Sequence, residues 1–287
     1  MLEYILSSPN QAIYTDFQGS RALLGFYNYA KRYRNCTIKL NFDAINFIDA
    51  NLSAVLFAMI YDLKKTYNIF TFIDFSTLSK DLNILIRNGF TNHVARKEFT
   101  FSPLDNRDTT IPLRVISQTD VDSFCSYIEH DFLHQRGLNP INKQTKDKIN
   151  NHYLEIFSNV ELHTNTKDPV FVCGQYFPIQ GEVKFTLVDL GEGFLKKIAA
   201  FTEGNVNIKT ASKAIDWALS GNSTKKGAFG GTGLLGIKKY CIFSGNTIQV
   251  VTDNCHYTHF YRSATSQQIL NPMKGTTIHL IFRYLNK

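Results

Sequence analysis

The hydrophobic pattern of residues 1–103 changes its period more than once. Apolar and polar residues alternate over residues 38–42, which predicts a half-buried strand. After Asp49 the spacing becomes helical, a second strand is predicted at residues 70–75, and a second helix follows with Gly89 as its left-handed cap. This order predicts a small α/β domain with a parallel sheet. The apolar positions of the two helices are Leu52, Val55, Leu56, Met59, Ile60 and Leu63, then Leu78, Leu82, Leu85 and Ile86.

The remaining chain predicts a second α/β domain over residues 119–287. Residues 104–118 are polar and contain a proline ahead of a short apolar run, so we predict a linker and an edge strand there. Residues 146–163 place apolar side chains on one stripe of a helix. Strands are predicted to end at Asp189 and to begin near Thr276. The helical stripe consists of Ile149, Tyr153, Ile156, Phe157 and Val160, and the alternating strand positions are Val183, Phe185, Leu187, Ile278, Leu280 and Phe282.

Composition indicates a globular protein with room for two domains. The 287 residues are 44% hydrophobic and 19% charged. No apolar run approaches the roughly 18 residues that span a bilayer, and the N-terminus lacks the pattern of a signal peptide. The 5 cysteines are scattered, which favours buried thiols in a reducing compartment. We therefore expect a cytoplasmic protein with no membrane partner.

The net charge of +7 could indicate a polyanionic partner. However, the lysines and arginines are spread along the chain, and no block of five or more like charges occurs. A mildly basic surface is the simpler interpretation. A nucleic-acid partner stays open, but the charge pattern does not indicate one.

Two groups of polar residues could supply nucleotide chemistry. Glu155 and Asn159 lie four apart on the predicted helix, so they share one face. A carboxylate can accept a proton from a nucleophile, and an amide oxygen can ligate Mg²⁺. Asp189 ends a strand and is followed by Gly191 and Gly193, which would let the backbone pass close to a ligand.

A glycine-rich turn from Gly230 to Gly236 precedes a predicted helix. Backbone N–H groups at a helix start, together with the helix dipole, hold phosphate oxygens well. The turn lacks the Gly-Lys-Thr or Gly-Lys-Ser ending of a P-loop. It also lacks the preceding strand of a dinucleotide-binding fingerprint.

These motifs, in this order, resemble the Bergerat-type ATP site of gyrase, mismatch-repair ATPases, heat-shock chaperones, histidine kinases and anti-sigma-factor kinases. The resemblance implies a Bergerat-fold α/β sandwich that binds ATP and Mg²⁺. It implies Glu155 as general base, Asn159 as Mg²⁺ ligand, and Asp189 as acceptor of a hydrogen bond from the adenine amino group. The other residues expected to contact the nucleotide are Gly191, Gly193, Gly231, Thr232, Gly233, Leu234 and Thr276.

The resemblance also implies a lid over the nucleotide at about residues 195–230. This segment is rich in Lys, Ser, Thr and Gly, and such a stretch has little apolar surface to hold it in place. Lys225 or Lys226 could reach the phosphates, although a solvated loop lysine is the more ordinary role.

Residues 1–103 resemble the STAS domain of anti-sigma-factor antagonists. The resemblance is carried by the segment from Asn46 to Leu52, the helix after it, and the segment from Leu85 to Phe90. In that family the turn after the aspartate offers serines for phosphorylation, but here Ala50 and Asn51 stand there. We therefore expect a docking module, whose removal should leave a soluble ATP-binding domain with altered hydrolysis.

Together the two resemblances imply a bacterial-type regulatory protein that uses ATP to control a protein partner. Whether it is an ATPase or a serine/threonine kinase stays open. The alternative is a dimerising conformational ATPase that gates a nucleic-acid or effector partner, and a third is a protein that binds nucleotide without turnover. A histidine kinase is disfavoured, because no helical hairpin with an acceptor histidine precedes the ATP-site motifs.

Overall fold

The protein is a mixed α/β molecule with a large antiparallel sheet, which confirms the predicted fold class at that level. A computed structural model describes residues 1–95, 108–163, 166–203, 206–224 and 232–283. Within these residues the strands form a three-stranded, a seven-stranded and a two-stranded sheet. None of the described helices is long and apolar enough to cross a membrane.

The N-terminal half carries the parallel sheet that its hydrophobic pattern predicts. The strands β1, β3 and β5 pair in parallel, in that order, and β2 pairs with β4. Gly89 has a φ of +81°, so the predicted left-handed cap is confirmed. The elements are β1 (Leu2–Ile5), β2 (Ala12–Ile13), α1 (Phe17–Ala30), β3 (Thr37–Asn41), β4 (Phe47–Ile48), α2 (Ser53–Tyr67), β5 (Phe70–Phe72), α3 (Ile84–Arg87) and α4 (Phe90–Val94).

The C-terminal half is built on the seven-stranded sheet. All of its neighbouring strands pair antiparallel, in the order β11-β10-β9-β12-β8-β7-β6. Strand β6, which falls within the segment predicted to contain an edge strand, lies at one edge of this sheet. The elements are β6 (Thr110–Ile116), α5 (Val121–Ser126), α6 (Lys143–His163), β7 (Val170–Phe177), β8 (Glu182–Asp189), α7 (Phe194–Thr202), α8 (Ala211–Leu219), α9 (Thr232–Ser244), β9 (Thr247–Thr252), β10 (Cys255–Phe260), β11 (Ser263–Gln268) and β12 (Thr276–Arg283).

Both faces of the large sheet are buried, but against different layers. Because side chains alternate along a strand, β8 sends Phe185 and Leu187 into a core shared with Tyr153 of α6. Its Val188 lies on the other face, in the same core as Met59 of α2. The N-terminal half therefore covers the sheet face opposite α6 and α9.

A buried polar network joins the turn after β4 to the middle of β8. The carboxylate of Asp49 accepts a hydrogen bond from Thr15 and pairs with Lys184, whose Nζ lies 2.8 Å from Asp49 Oδ2. Asn51 Nδ2 donates to Thr186 Oγ1 over 2.7 Å. Asp49 and Asn51 are fully buried, so they need these partners to offset the loss of water. The turn after β4 is therefore sealed against the chain's own sheet.

Ser53, the first hydroxyl-bearing residue after that turn in the sequence, is also inaccessible to solvent. Its side chain is fully buried, and its Oγ accepts a hydrogen bond of 2.8 Å from Asn88 Nδ2. A kinase could reach this hydroxyl only if the N-terminal half came away from the sheet.

Deleting the N-terminal half is expected to make the rest of the chain insoluble. Residues 104–287 alone would expose Phe171, Val188 and Leu190 as one apolar face. Each such side chain loses about 1.5–3 kcal/mol of stabilisation when it is no longer buried. The sequence alone leads to the opposite expectation, a soluble fragment, because it does not reveal the shared core. The soluble fraction after expression, with and without a co-expressed chain of residues 1–103, checks this. A monomeric, cooperatively folding 104–287 fragment would contradict the shared core.

The segment predicted as a polar lid differs from that prediction over its described part. Helices α7 (Phe194–Thr202) and α8 (Ala211–Leu219) lie in this segment, and they meet in a small core of Ile198, Ala214 and Ala218. Apolar residues at helical spacing are interspersed among the lysines and serines, and they are enough to order two short helices. Residues 225–230, with Lys225 and Lys226, lie outside the described residues.

Candidate functional site

A cavity opens at one end of the large sheet, between α6, α7 and α8. It encloses about 820 Å³ of space, counting the open solvent at its mouth. Five sequence-predicted residues line it together, although they come from separate parts of the chain. They are Asn159 of α6, Asp189 at the end of β8, Gly193 just before α7, Leu234 of α9 and Thr276 at the start of β12.

Asp189 is the most strongly perturbed group in the cavity. Asp189 is only 5% exposed. Burial raises the pKa of its carboxyl to about 7, because the charged form loses water. Hydrogen bonds from Gly191 and Thr276 and the charge of Lys274 lower the pKa, but their effect is smaller. The N–H of Gly191 donates to Oδ1 over 2.8 Å. A buried carboxylate with one oxygen already bonded can accept a further hydrogen bond from a ligand amino group.

Thr276 lies beside Asp189 because β12 pairs with β8 at that position. Gly275 makes this approach feasible. Its φ is +88°, and a Cβ there would lie 1.9 Å from the carbonyl oxygen of Asp189, so a larger residue would force the two strands apart. Thr276 Oγ1 also lies 3.1 Å from Thr252 Oγ1. The start of β12 and the Asp189 carboxylate thus form one closely packed corner of the cavity.

Helix α6 presents Asn159 to the cavity and Glu155 to the start of α9. The helix is held by its buried apolar stripe, which confirms the predicted stripe residue by residue. Glu155 does not line the cavity itself. It packs against Gly233, where a Cβ would lie 2.9 Å from Glu155 Cβ. The carboxylate therefore lies next to the N-terminus of α9, and its Oε1 is buried.

Helix α9 begins at Thr232, so Gly233 and Gly236 lie inside the helix and not in the turn that was predicted to precede it. Gly231 lies outside the described residues, and only the backbone of Thr232 is described. A helix of 13 residues has a partial positive charge at its N-terminus, which favours anions. Gly236 allows close helix packing, because a Cβ there would lie 2.0 Å from the His152 ring. Two glycines of the motif therefore let α9 pack closely on α6.

Gly193 also has a role that the sequence does not indicate. It is the N-cap of α7, and a Cβ on it would lie 2.4 Å from Asp253 Oδ1. The Asp253 carboxylate in turn accepts a hydrogen bond of 3.0 Å from the N–H of Leu195. Gly193 thus brings the end of β8 against this capping carboxylate, and it lines the cavity at the same time.

The wall opposite α6 was not predicted from the sequence. It is formed by Phe194 and Ile198 of α7 and by Trp217 and Ala218 at the end of α8. The periodic spacing of these residues is the signal that could have revealed it. Trp217 is the single tryptophan of the chain, so its fluorescence can report directly on ligand entry.

The described residues do not bring three His, Cys, Asp or Glu side chains together as a metal centre. A metal at this site would need ligand oxygens in addition to those of the protein. Mg²⁺ commonly binds in this manner, with one or two protein oxygens, waters and substrate phosphates. Asn159 is the polar side chain of α6 that lines the cavity.

Comparison with protein-family models and with curated proteins gives no match to this chain.

The raised pKa of Asp189 predicts a pH dependence for a ligand that needs its ionised form. If adenosine, as the resemblance implies, binds through this ionised carboxylate, a pKa of about 7 predicts about tenfold weaker binding at pH 6 than at pH 8, because the ionised fraction falls by that factor. Affinity is lost as pH falls. Adenosine is the suitable probe, since it has no phosphate that titrates in this range, and Trp217 fluorescence gives the affinity. An affinity that stays constant from pH 6 to pH 8 would contradict ionised Asp189 as the acceptor.

Proposed function

We propose that the chain binds ATP with Mg²⁺ in this cavity and uses it to regulate a protein partner. The observation that carries the proposal is the convergence of Asn159, Asp189, Gly193, Leu234 and Thr276 on one cavity with an open mouth. These five residues belong to sequence motifs that are far apart in the chain. Their resemblance to the Bergerat-type site and the geometry of the buried Asp189 carboxylate support the same ligand.

Each residue would have a distinct task at bound nucleotide. Asp189 would accept the hydrogen bond of the adenine amino group, and the apolar side chains of Ile156 and Ile278 would cover the base. Asn159 would ligate Mg²⁺ through its amide oxygen. MgATP supplies the phosphoryl group that is transferred. Glu155 of α6, which packs against the start of α9, would accept the proton of the attacking hydroxyl or water.

The docked N-terminal half supports a regulatory role. Asp49 and Asn51 bind Lys184 and Thr186 on the same strand, β8, that ends in Asp189. In partner-switching systems, which the two halves resemble, STAS and kinase modules are separate chains. Here we infer that the pairing is intramolecular, so that nucleotide state and docking of the N-terminal half influence each other.

Incubation with γ-labelled ATP and Mg²⁺ separates the open alternatives. Label on an added or co-purified protein supports a kinase, and release of free phosphate supports an ATPase. Saturable quenching of Trp217 without either product supports a binding module. No change in Trp217 fluorescence and no product would contradict the proposed function.

A further inference from the structure

Strand β11 forms one edge of the seven-stranded sheet and pairs with a single neighbour, β10. All of its residues are exposed, and none of them is charged or a proline. The opposite edge, β6, contains Pro112 and Arg114, and its register shifts between Ile111 and Arg114. Charges, prolines and bulges keep an edge strand from pairing with another chain. Strand β6 is therefore protected against such pairing, and β11 is not.

The backbone groups that point outward from β11 follow from its pairing with β10. The N–H of Ile269 donates over 2.8 Å to the carbonyl of Asn254, which lies directly opposite in the same register. In an antiparallel pair, every second residue bonds to the neighbouring strand, and the residues between them point away from it. Three residues of β11 therefore direct their N–H and C=O groups away from the sheet, namely Ala264, Ser266 and Gln268.

These outward groups match a second copy of the same strand. In an antiparallel pair around a twofold axis at Ser266, Ser266 faces itself and Ala264 faces Gln268 of the second copy. Each facing pair exchanges two backbone hydrogen bonds, so this register pairs all three outward residues with one another. Any shift of the register pairs fewer of them.

The charges near this edge permit the pairing. Arg262 is the charged residue closest to β11 in the sequence, and it would face Leu270 of the second copy. The two Arg262 side chains would then lie about 27 Å apart along the paired strands. This distance is several times the screening length of about 8 Å at physiological ionic strength, so the repulsion between them is small.

Exposed apolar side chains flank β11 and would be covered by the same pairing. Tyr261 is 54% exposed, and Leu270 is 84% exposed. In the register centred on Ser266, Leu270 of one copy lies beside Tyr261 of the other at both ends of the strand pair. Removing this apolar surface from water favours the association.

An extended peptide from another protein fits this edge less well. Such a peptide is selected through pockets beside the edge that hold its alternate side chains. The principal cavities of the described residues are lined by none of the residues of β11. A second copy needs no such pocket, because the facing side chains are those of Ala, Ser, Thr and Gln.

We propose that β11 is a dimer interface, at which a second copy of the chain adds its own β11 antiparallel and the two large sheets become continuous. The proposal goes beyond the proposed function and does not depend on it, because β11 contributes no residue to the cavity at Asp189. A strand pair with its two ends is a small interface, so the dimer should dissociate on the order of 10 μM.

Sedimentation velocity of the full chain from about 1 to about 100 μM gives the midpoint between monomer and dimer. The register is tested by charges at the exposed positions Ala264 and Gln268. Ala264→Lys combined with Gln268→Lys sets like charges opposite each other at both ends of the strand pair, so we expect the midpoint to rise at least about tenfold.

Ala264→Lys combined with Gln268→Glu is the matched control. It sets opposite charges across the interface, so it should dimerise at least as well as the native chain. Within one copy the two positions are about 13 Å apart, and the two variants therefore differ mainly across the interface.

Ser266→Pro tests the central backbone contact. The proline removes an N–H that points away from β10, so the hairpin should still fold, while no dimer should form up to about 100 μM. Circular dichroism and Trp217 fluorescence check that each variant has the native fold. The two charge variants leave the backbone unchanged, so they decide the question if the proline variant does not fold.

Three results would overturn the proposal. A native chain that stays monomeric at about 100 μM would leave this edge to a strand from another protein. A native dimer that neither the lysine pair nor the proline weakens would place the interface elsewhere. Equal weakening by both charge variants would contradict the antiparallel register centred on Ser266.

Discussion

Replacing Glu155 by alanine is expected to lower ATP turnover by about 10²- to 10⁴-fold, the usual contribution of a general base. Nucleotide affinity should stay near the native value, because Glu155 does not line the cavity and instead packs against Gly233. Phosphate release or transfer at saturating MgATP, with Trp217 fluorescence for affinity, separates these two effects. The loss should appear in kcat.

Asp147→Ala is the matched control for this variant. Asp147 is an exposed acid on the same helix, two turns before Glu155, so its removal should leave both turnover and affinity unchanged. Glu155→Gln should be as slow as the alanine variant, because an amide cannot accept the proton. Native turnover in Glu155→Ala would remove Glu155 from the mechanism.

Replacing Asp189 by asparagine is expected to weaken adenine nucleotide binding by about 10- to 100-fold. Asparagine has one acceptor oxygen, and the Gly191 N–H already uses one oxygen of the native carboxylate. The amide NH₂ would therefore face either Gly191 or the adenine amino group, donor against donor. The residual binding should also lose its dependence on pH between 6 and 8, because the titrating group is gone.

Glu192→Gln provides the comparison for Asp189→Asn. Glu192 also lines the cavity, but its side chain is 32% exposed and it pairs with Lys196 on the surface. Its neutralisation should change affinity much less than that of Asp189, because a charge near water is screened. If Asp189→Asn bound ATP like the native chain, the adenine assignment would be wrong.

The sequence predicts best where a local pattern fixes both the element and its end. Asp189 closes an alternating strand, Thr276 opens another, and the stripe on α6 sets the direction of Asn159. These patterns depend on neighbours in the chain, so they can be recognised without the fold. The convergence of these residues on one cavity is visible only in the structure.

What the sequence does not predict depends on contacts between distant segments. Lys184 and Thr186 look like solvent-facing positions of a half-buried strand, yet they are covered by Asp49 and Asn51 from the N-terminal half. Because the second face of the sheet carries polar side chains here, the hydrophobicity pattern of the strand does not reveal that this face is an interface. The role of Gly236 depends in the same way on an approach to His152, which no local signal gives.

The most direct test of ATP binding is a titration of the native chain with MgATP, followed by the fluorescence of Trp217, which lines the cavity. The proposed function predicts saturable binding that adenosine competes for and that GTP competes for much more weakly. Guanine carries an oxygen where adenine carries the amino group, so it would oppose an acceptor to the Asp189 carboxylate. No saturable signal, or equal competition by GTP and ATP, would contradict an adenine nucleotide site at Asp189.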